Sequence, residues 1–297
     1  MWRIFAGSMF LVLSVLPALA GSFDDFNQGI NANNRGDSAA AINAFSRALE
    51  SGELSKSLTP VALLDRGIAF ERQKRYEDAI ADLNAALALN PGKYDAIYWR
   101  MLAYAWNAQG GLASADCDSL LRARPMVAAL YSQCALMRWV NGEYAQAARY
   151  FETAVGLRPK RLASDILWLE LSRLRAGTPD EAQFAQYSKE LELDGWPAPI
   201  FELYLGKRTP EAVLAAAENR SRPFSVPGFL HFQSESAPPT TQTASLQLQR
   251  CESAFFVGEW QLVHQNSTIA KSLLRETETY CNGWLPAQTE LDRLTPK

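Results

Sequence analysis

Residues 60–93 read PVALLDRGIAFERQKRYEDAIADLNAALALNPGK, and the fold is decided by what recurs from this stretch. Pro91 returns 34 residues on as Pro125 and again as Pro159. Ala79, Ala113 and Ala147 keep the same phase, as do Leu83, Cys117 and Phe151, and Ala86, Leu120 and Ala154. Gly67, Met101 and Ala135 form a further column, followed by Phe70, Tyr104 and Arg138. Gly29, Ala41, Phe45 and Ala48 repeat Gly67, Ala79, Leu83 and Ala86 with an offset of 38, and the four extra residues fit the polar stretch 51–57. A loop there absorbs an insertion at little cost. A fixed period in small and large apolar residues is the pattern of helical hairpins that bury their surfaces only by stacking.

The columns have a packing meaning. Gly67-x-x-Phe70 sets a gap and a ring on one face of a first helix, and Ala79-x-x-x-Leu83-x-x-Ala86 sets two small residues and a large one on one face of a second. Small side chains let antiparallel helices approach, and the large one fills the seam. Pro91 ends the second helix, because proline lacks the amide hydrogen and clashes with the preceding turn. Thr59-Pro60 reads as a cap followed by proline in a first turn.

These residues resemble the tetratricopeptide repeat: Gly67-x-x-Phe70, Ala79-x-x-x-Leu83, Ala86 and Pro91 in one copy, and Ala135, Ala147, Phe151, Ala154 and Pro159 in another. The resemblance implies an all-α solenoid, a superhelix of stacked antiparallel hairpins, over 21–159, with copies at 22–55, 60–93, 94–127 and 128–161. The third copy carries Met101 at the small position and Cys117 at the aromatic one, so its packing is expected to be looser. Further helical pairs are expected over 160–220, beginning with a helix at 162–175; Thr178-Pro179-Asp180-Glu181 starts the next, and Thr209-Pro210-Glu211 opens one over 211–218. Stretch 221–245 holds Pro223, Pro227, Pro238 and Pro239 among Ser and Thr, the composition of a loop or linker. In 246–297, Gly258, Ala270 and Leu274 repeat the offsets of Gly67, Ala79 and Leu83, which marks a degenerate terminal hairpin and cap.

Composition narrows the function. Of the 297 residues, 48% are hydrophobic and 21% charged, which excludes wholesale disorder. Lys+Arg 29 against Asp+Glu 32 leaves a net charge of −3, with no basic field for nucleic acid. His231 and His264 are the two histidines, and the Gly-x-Ser-x-Gly, His-Glu-x-x-His, P-loop and Cys-x-x-Cys motifs are all missing. Asp24/Asp25 and Asp180/Glu181 are read as helix-start residues that complement the dipole. No catalysis, cofactor or metal is expected.

The N-terminal stretch reads as a secretory signal: Arg3, an apolar run over 4–16, then Ala18-Leu19-Ala20 as the small-x-small cleavage pattern. Cleavage after Ala20 is expected to release a soluble, exported chain with no membrane anchor. In an oxidising compartment an even set of thiols is paired. Cys251 begins the first helix of the last hairpin and Cys281 ends the second, which brings them together. Cys117 and Cys134 fall on helices that stack, so they are either bridged or two buried thiols.

The C-terminal half adds Trp196-Pro197, Tyr204-Leu205-Gly206, Thr209-Pro210-Glu211, Leu214, Cys251-Glu252-x-Ala254-Phe255-Phe256-x-Gly258-Glu259 and Glu290-Leu291-x-x-Leu294. With the upstream repeats these are similar to bacterial envelope proteins of the new-lipoprotein-I type. That resemblance implies a periplasmic adaptor bringing peptidoglycan hydrolases to a processing protease. The chain departs from the type in having no lipid-bearing cysteine at the cleavage point and in the insertion 221–245. The rival reading is a structural subunit of a secretion, pilus or polysaccharide-export assembly.

Stacked hairpins line a groove with their first helices, and such grooves take extended protein or peptide segments. Helical phase puts Leu64, Ile68 and Arg72 there, then Tyr98, Leu102 and Trp106, then Gln133, Leu136 and Trp139, and last Ile166, Glu170 and Arg173. Aromatic and arginine side chains are common anchors at interfaces. The competing reading of Tyr98, Trp106 and Trp139 is core between repeats.

Overall fold

The computed structural model describes residues 17–218, 242–281 and 284–295. Fifteen α-helices and no strand occur among them, and the architecture is the all-α solenoid that the repeat phase demands. The chain divides into two compact units between Asn107 and Ala108. The boundary falls inside the third repeat, whose first helix belongs to one unit and whose second belongs to the other. Met101 of that repeat stands in the column where the two preceding repeats have glycine.

The first unit comprises α1 (Pro17–Asn34), α2 (Ser38–Glu50), α3 (Thr59–Arg72), α4 (Tyr76–Leu89) and α5 (Tyr94–Trp106). Its seams are apolar: Ala41, Phe45, Ala48, Ala79, Leu83 and Ala86 have no exposed surface. Glycine in the first helices is a steric requirement. A Cβ on Gly29 would stand 2.6 Å from the Phe45 ring, and one on Gly67 would stand 3.0 Å from Leu83 Cγ. The columns read from the sequence are therefore contacts. Beside them Arg66 forks onto Asp82, with Nε and Nη2 at 2.7 and 2.8 Å from the two carboxylate oxygens.

Two local expectations are corrected. The cap of α3 is Leu58, and Thr59 lies inside the helix with its hydroxyl donating back to the Ser55 carbonyl at 3.1 Å. Asp25 is no helix-start residue, since α1 begins at Pro17; it accepts from Arg47 Nη2 of α2 at 2.7 Å. Asp180, by contrast, caps its helix and accepts from the Gln183 amide. Residues 1–16 of the expected signal and His231 lie outside the described residues.

The hairpins share one closing turn. Gly36, Lys74 and Gly142 have φ of 75°, 60° and 81°, and Gln265 has 64°. In each case the next residue's amide reaches back five positions, as Arg75 does to Phe70 and Asn266 to Gln261. This is the Schellman closure, which needs a left-handed residue and favours glycine there. Lys74→Gly and Gln265→Gly should each raise stability by about 0.5–1 kcal/mol, read as a higher thermal midpoint.

The second unit comprises α6 (Gly110–Ala123), α7 (Ala128–Val140), α8 (Tyr144–Leu157), α9 (Ala163–Ala176), α10 (Glu181–Glu190), α11 (Ala198–Tyr204), α12 (Pro210–Ala217), α13 (Gln242–Val263), α14 (Ser267–Cys281) and α15 (Leu285–Leu294). Helix α13 starts at Gln242, so the last residues of the expected linker 221–245 are helical, and 221–241 lies outside the described residues. The offsets of Gly258 again mark contacts, with a Cβ there meeting Leu274 Cγ at 3.3 Å and the Ala270 carbonyl at 3.5 Å. Both cysteine pairs stand at bonding distance, with Cα separations of 5.5 Å for Cys117 and Cys134 and 5.8 Å for Cys251 and Cys281.

Candidate functional site

The first helices of the two units treat their expected groove residues differently. In the first unit, α3 turns Leu64 into the core and leaves Ile68 and Arg72 half-buried. On α5, Leu102 is buried, while Tyr98 and Trp106 keep part of their surface. Tyr98 meets Trp99 edge-on at 5.9 Å, and Trp106 stacks on Tyr76 at 6.1 Å, so both rings are held in place. Asn33 of α1 bridges to α3: its Nδ2 donates to the Asp65 carbonyl at 3.0 Å, and Arg72 Nη1 donates to the Asn33 carbonyl at 3.4 Å. The Asn33 Oδ1 is buried without a protein partner. Burial raises the Asp65 carboxyl to about 6, against Lys93 and Arg72, and raises Glu71 to about 7, against Arg72. This face presents partly exposed rings and a guanidinium.

In the second unit most of the expected groove is closed. Leu136, Trp139 and Ile166 have no exposed surface, and Glu170 is 3% exposed. Gln133 is half-buried, and Arg173 is tied to Gln183 at 2.7 Å and Glu152 at 2.9 Å. Leu136, Trp139 and Ile166 have no exposed surface and Leu64, Leu102 and Glu170 keep 5% or less, so the structure places these six in the packed interior. The cause in the second unit is the chain's own C-terminal segment. Phe255 of α13 stands 5.9 Å from the Trp139 ring and 5.3 Å from Trp168, Phe256 stands 5.7 Å from Trp168, and Trp284 stands 4.5 Å from Phe255.

Polar clasps fix that segment. Arg175 Nη1 of α9 donates to Glu259 of α13 at 2.6 Å, and its Nη2 donates to the Tyr144 hydroxyl at 2.6 Å and to Glu290 of α15 at 3.0 Å. Arg293 adds donations to Glu290, to the Val140 carbonyl and, at 2.9 Å, to Tyr144. The Trp196 indole donates to Glu252 at 2.5 Å. Sequence reasoning assigned no role to Arg175. Its signal was faint: a second arginine two positions after Arg173, flanked by Leu174 and Ala176.

Outside these faces, α6 and the α7–α8 turn frame a cleft of about 710 Å³. Its carboxylates Asp118 and Glu143 both accept from Arg138, at 2.7 and 2.6 Å. His264 is exposed, stacked on Trp260 at 3.7 Å. Among the described residues no cluster of three or more metal-ligating side chains occurs.

Comparison with known proteins agrees with the hairpin geometry. Residues 26–94 match the tetratricopeptide repeat. The repeat also relates the whole architecture to solved structures. A tetratricopeptide repeat protein from Parabacteroides merdae is 16% identical, with 93% of this chain and 99% of that one covered at a TM-score of 0.58. The MamA protein is 20% identical, with 63% and 94% covered at 0.50, and MamA of Desulfovibrio magneticus is 20% identical, with 58% and 95% covered at 0.51. At such identities the likeness is one of fold. No curated protein matches the chain in sequence.

Proposed function

We propose that the chain is a non-catalytic interaction scaffold, exported and soluble in the periplasm, that holds protein or peptide partners on the inner face of its first unit. The partner class is a peptidoglycan hydrolase or the protease that processes one. The observation that carries the reading is that Ile68, Arg72, Tyr98 and Trp106 keep accessible surface, whereas Leu136, Trp139 and Ile166, also expected in the groove, are sealed. Repeat stacks bind through such surfaces, and partly exposed rings with an arginine are anchors of the usual kind. Two cysteine pairs at bonding distance are in keeping with an oxidising compartment. No helix among the described residues is long and apolar enough to cross a membrane.

The test uses the chain from Gly21 onward as bait in envelope extract. Stoichiometric capture of one hydrolase or protease is expected, and Arg72→Ala, Tyr98→Ala and Trp106→Ala together should abolish it while far-UV helicity is kept. Capture of a large secretion or pilus assembly would favour the structural-subunit reading. Turnover by the purified protein would make it an enzyme, and undiminished capture by the triple variant would move the binding surface elsewhere.

A further inference from the structure

The seam between the second unit's repeats and its own C-terminal helices is rich in buried acidic groups. The seams between the first unit's repeats are mainly alanine, leucine and phenylalanine, with Asp82 answered by the Arg66 fork and Glu71 buried beside Arg72. Helix α13 brings in two buried carboxylates, Glu252 and Glu259, seven residues apart and so on one face. Glu252 accepts from the Trp196 indole, and among the described residues no ion pair to it is formed. Burial pushes its carboxyl up to about 7. Glu259 is faced by Arg175 of α9, by Glu290 and Arg293 of α15, by Tyr144 of α8 and by Tyr204 of α11. Burial and Glu290 push its carboxyl upward, and Arg175 and Arg293 oppose them. On α9 and α13, Glu170 Oε2, Gln249 Oε1 and Glu259 Oε1 are buried with no protein partner. A half-satisfied buried network is costly, so this seam yields before an apolar one.

We propose that α13–α15 is an internal occupant of the inner face of α7 and α9, held by a latch on Arg175 and Trp196 that loosens as the solution turns alkaline. Proton loss from Glu252 leaves a buried carboxylate with one N–H for company, and release returns it to water. The disulfide-distance pair Cys251–Cys281 keeps α13 and α14 together, so the hairpin leaves as a body. The latched state closes the second unit to a partner, and the released state uncovers Trp139, Leu136 and Ile166. The latch stands or falls independently of whether the first unit binds a polypeptide.

The test is hydrogen exchange on the intact protein at pH 6 and pH 9, corrected for intrinsic rates. Amides of α13 and α15 should open at least about ten-fold more at pH 9, the factor that linkage assigns to Glu252 alone, while α7–α8 keeps its protection. Glu252→Gln, which keeps an acceptor for Trp196, should remove about ten-fold of that response. An unchanged ratio between the two pH values overturns the proposal. So does acceleration of α7–α8 in step with α13, which would be loosening of the whole unit, and so does a full wild-type response in the glutamine variant.

Discussion

Trp139→Ala should lower the unfolding free energy by about 3–5 kcal/mol, a core truncation rather than the loss of a binding contact. The indole has no exposed surface. It meets Trp168 at 5.1 Å, Tyr144 at 5.6 Å and Phe255 at 5.9 Å, so its removal opens a hole against three rings from three other helices. Those helices have no second large residue free to slide inward, because Trp168 and Phe255 are themselves wholly buried. Urea unfolding of wild type and variant is the measurement. A loss below about 1 kcal/mol would show the ring packed loosely enough to be a surface group, and would return Trp139 to the list of partner contacts.

Stability should fall by about 2–3 kcal/mol between pH 5 and pH 8 on account of Glu252, and Glu252→Gln should recover that amount at pH 8 while changing little at pH 5. The folded carboxyl titrates near 7 and the unfolded one near 4.5, so between those values the folded state binds the extra proton. Uptake on folding means stability is gained as the pH falls through 7 and is lost as it rises. Glu71 and Glu170, also raised to about 7 by burial, act in the same direction. Asp65, raised to about 6, does so over a lower window. Thermal midpoints from pH 5 to pH 8 check the sign, and a midpoint that climbs toward pH 8 would contradict the burial of these groups.

The parts legible in the sequence were those where one side chain meets its own repeat. Ala79 and Leu83 stand 12 and 16 residues beyond Gly67 along the chain, and the structure makes them its contacts, as it does Ala270 and Leu274 for Gly258. The cysteine pairs were readable for the same reason, as positions on adjoining helices. The closing turns were not, because Lys74 and Gln265 adopt a glycine's backbone without being glycine. The sealed groove was not readable either. Helical phase tells which face of α7 and α9 points inward, but whether solvent or chain lies there depends on α13, which begins about 66 residues after the end of α9. Burial of Trp139 comes from Phe255 and Trp168, so no local pattern could reveal it.

The indoles of Trp139, Trp168 and Trp284 lie in one aromatic knot, with Trp168 and Trp284 at 6.2 Å. Chromophores so close and so rigidly set couple their electronic transitions, which gives a strong near-ultraviolet dichroism band belonging to the second unit alone. The first unit's Trp99 and Trp106 keep some accessible surface and answer to quenchers instead. One melting scan read in both ways would therefore time the aromatic knot apart from the accessible indoles, Trp260 of the second unit among them, with no label attached.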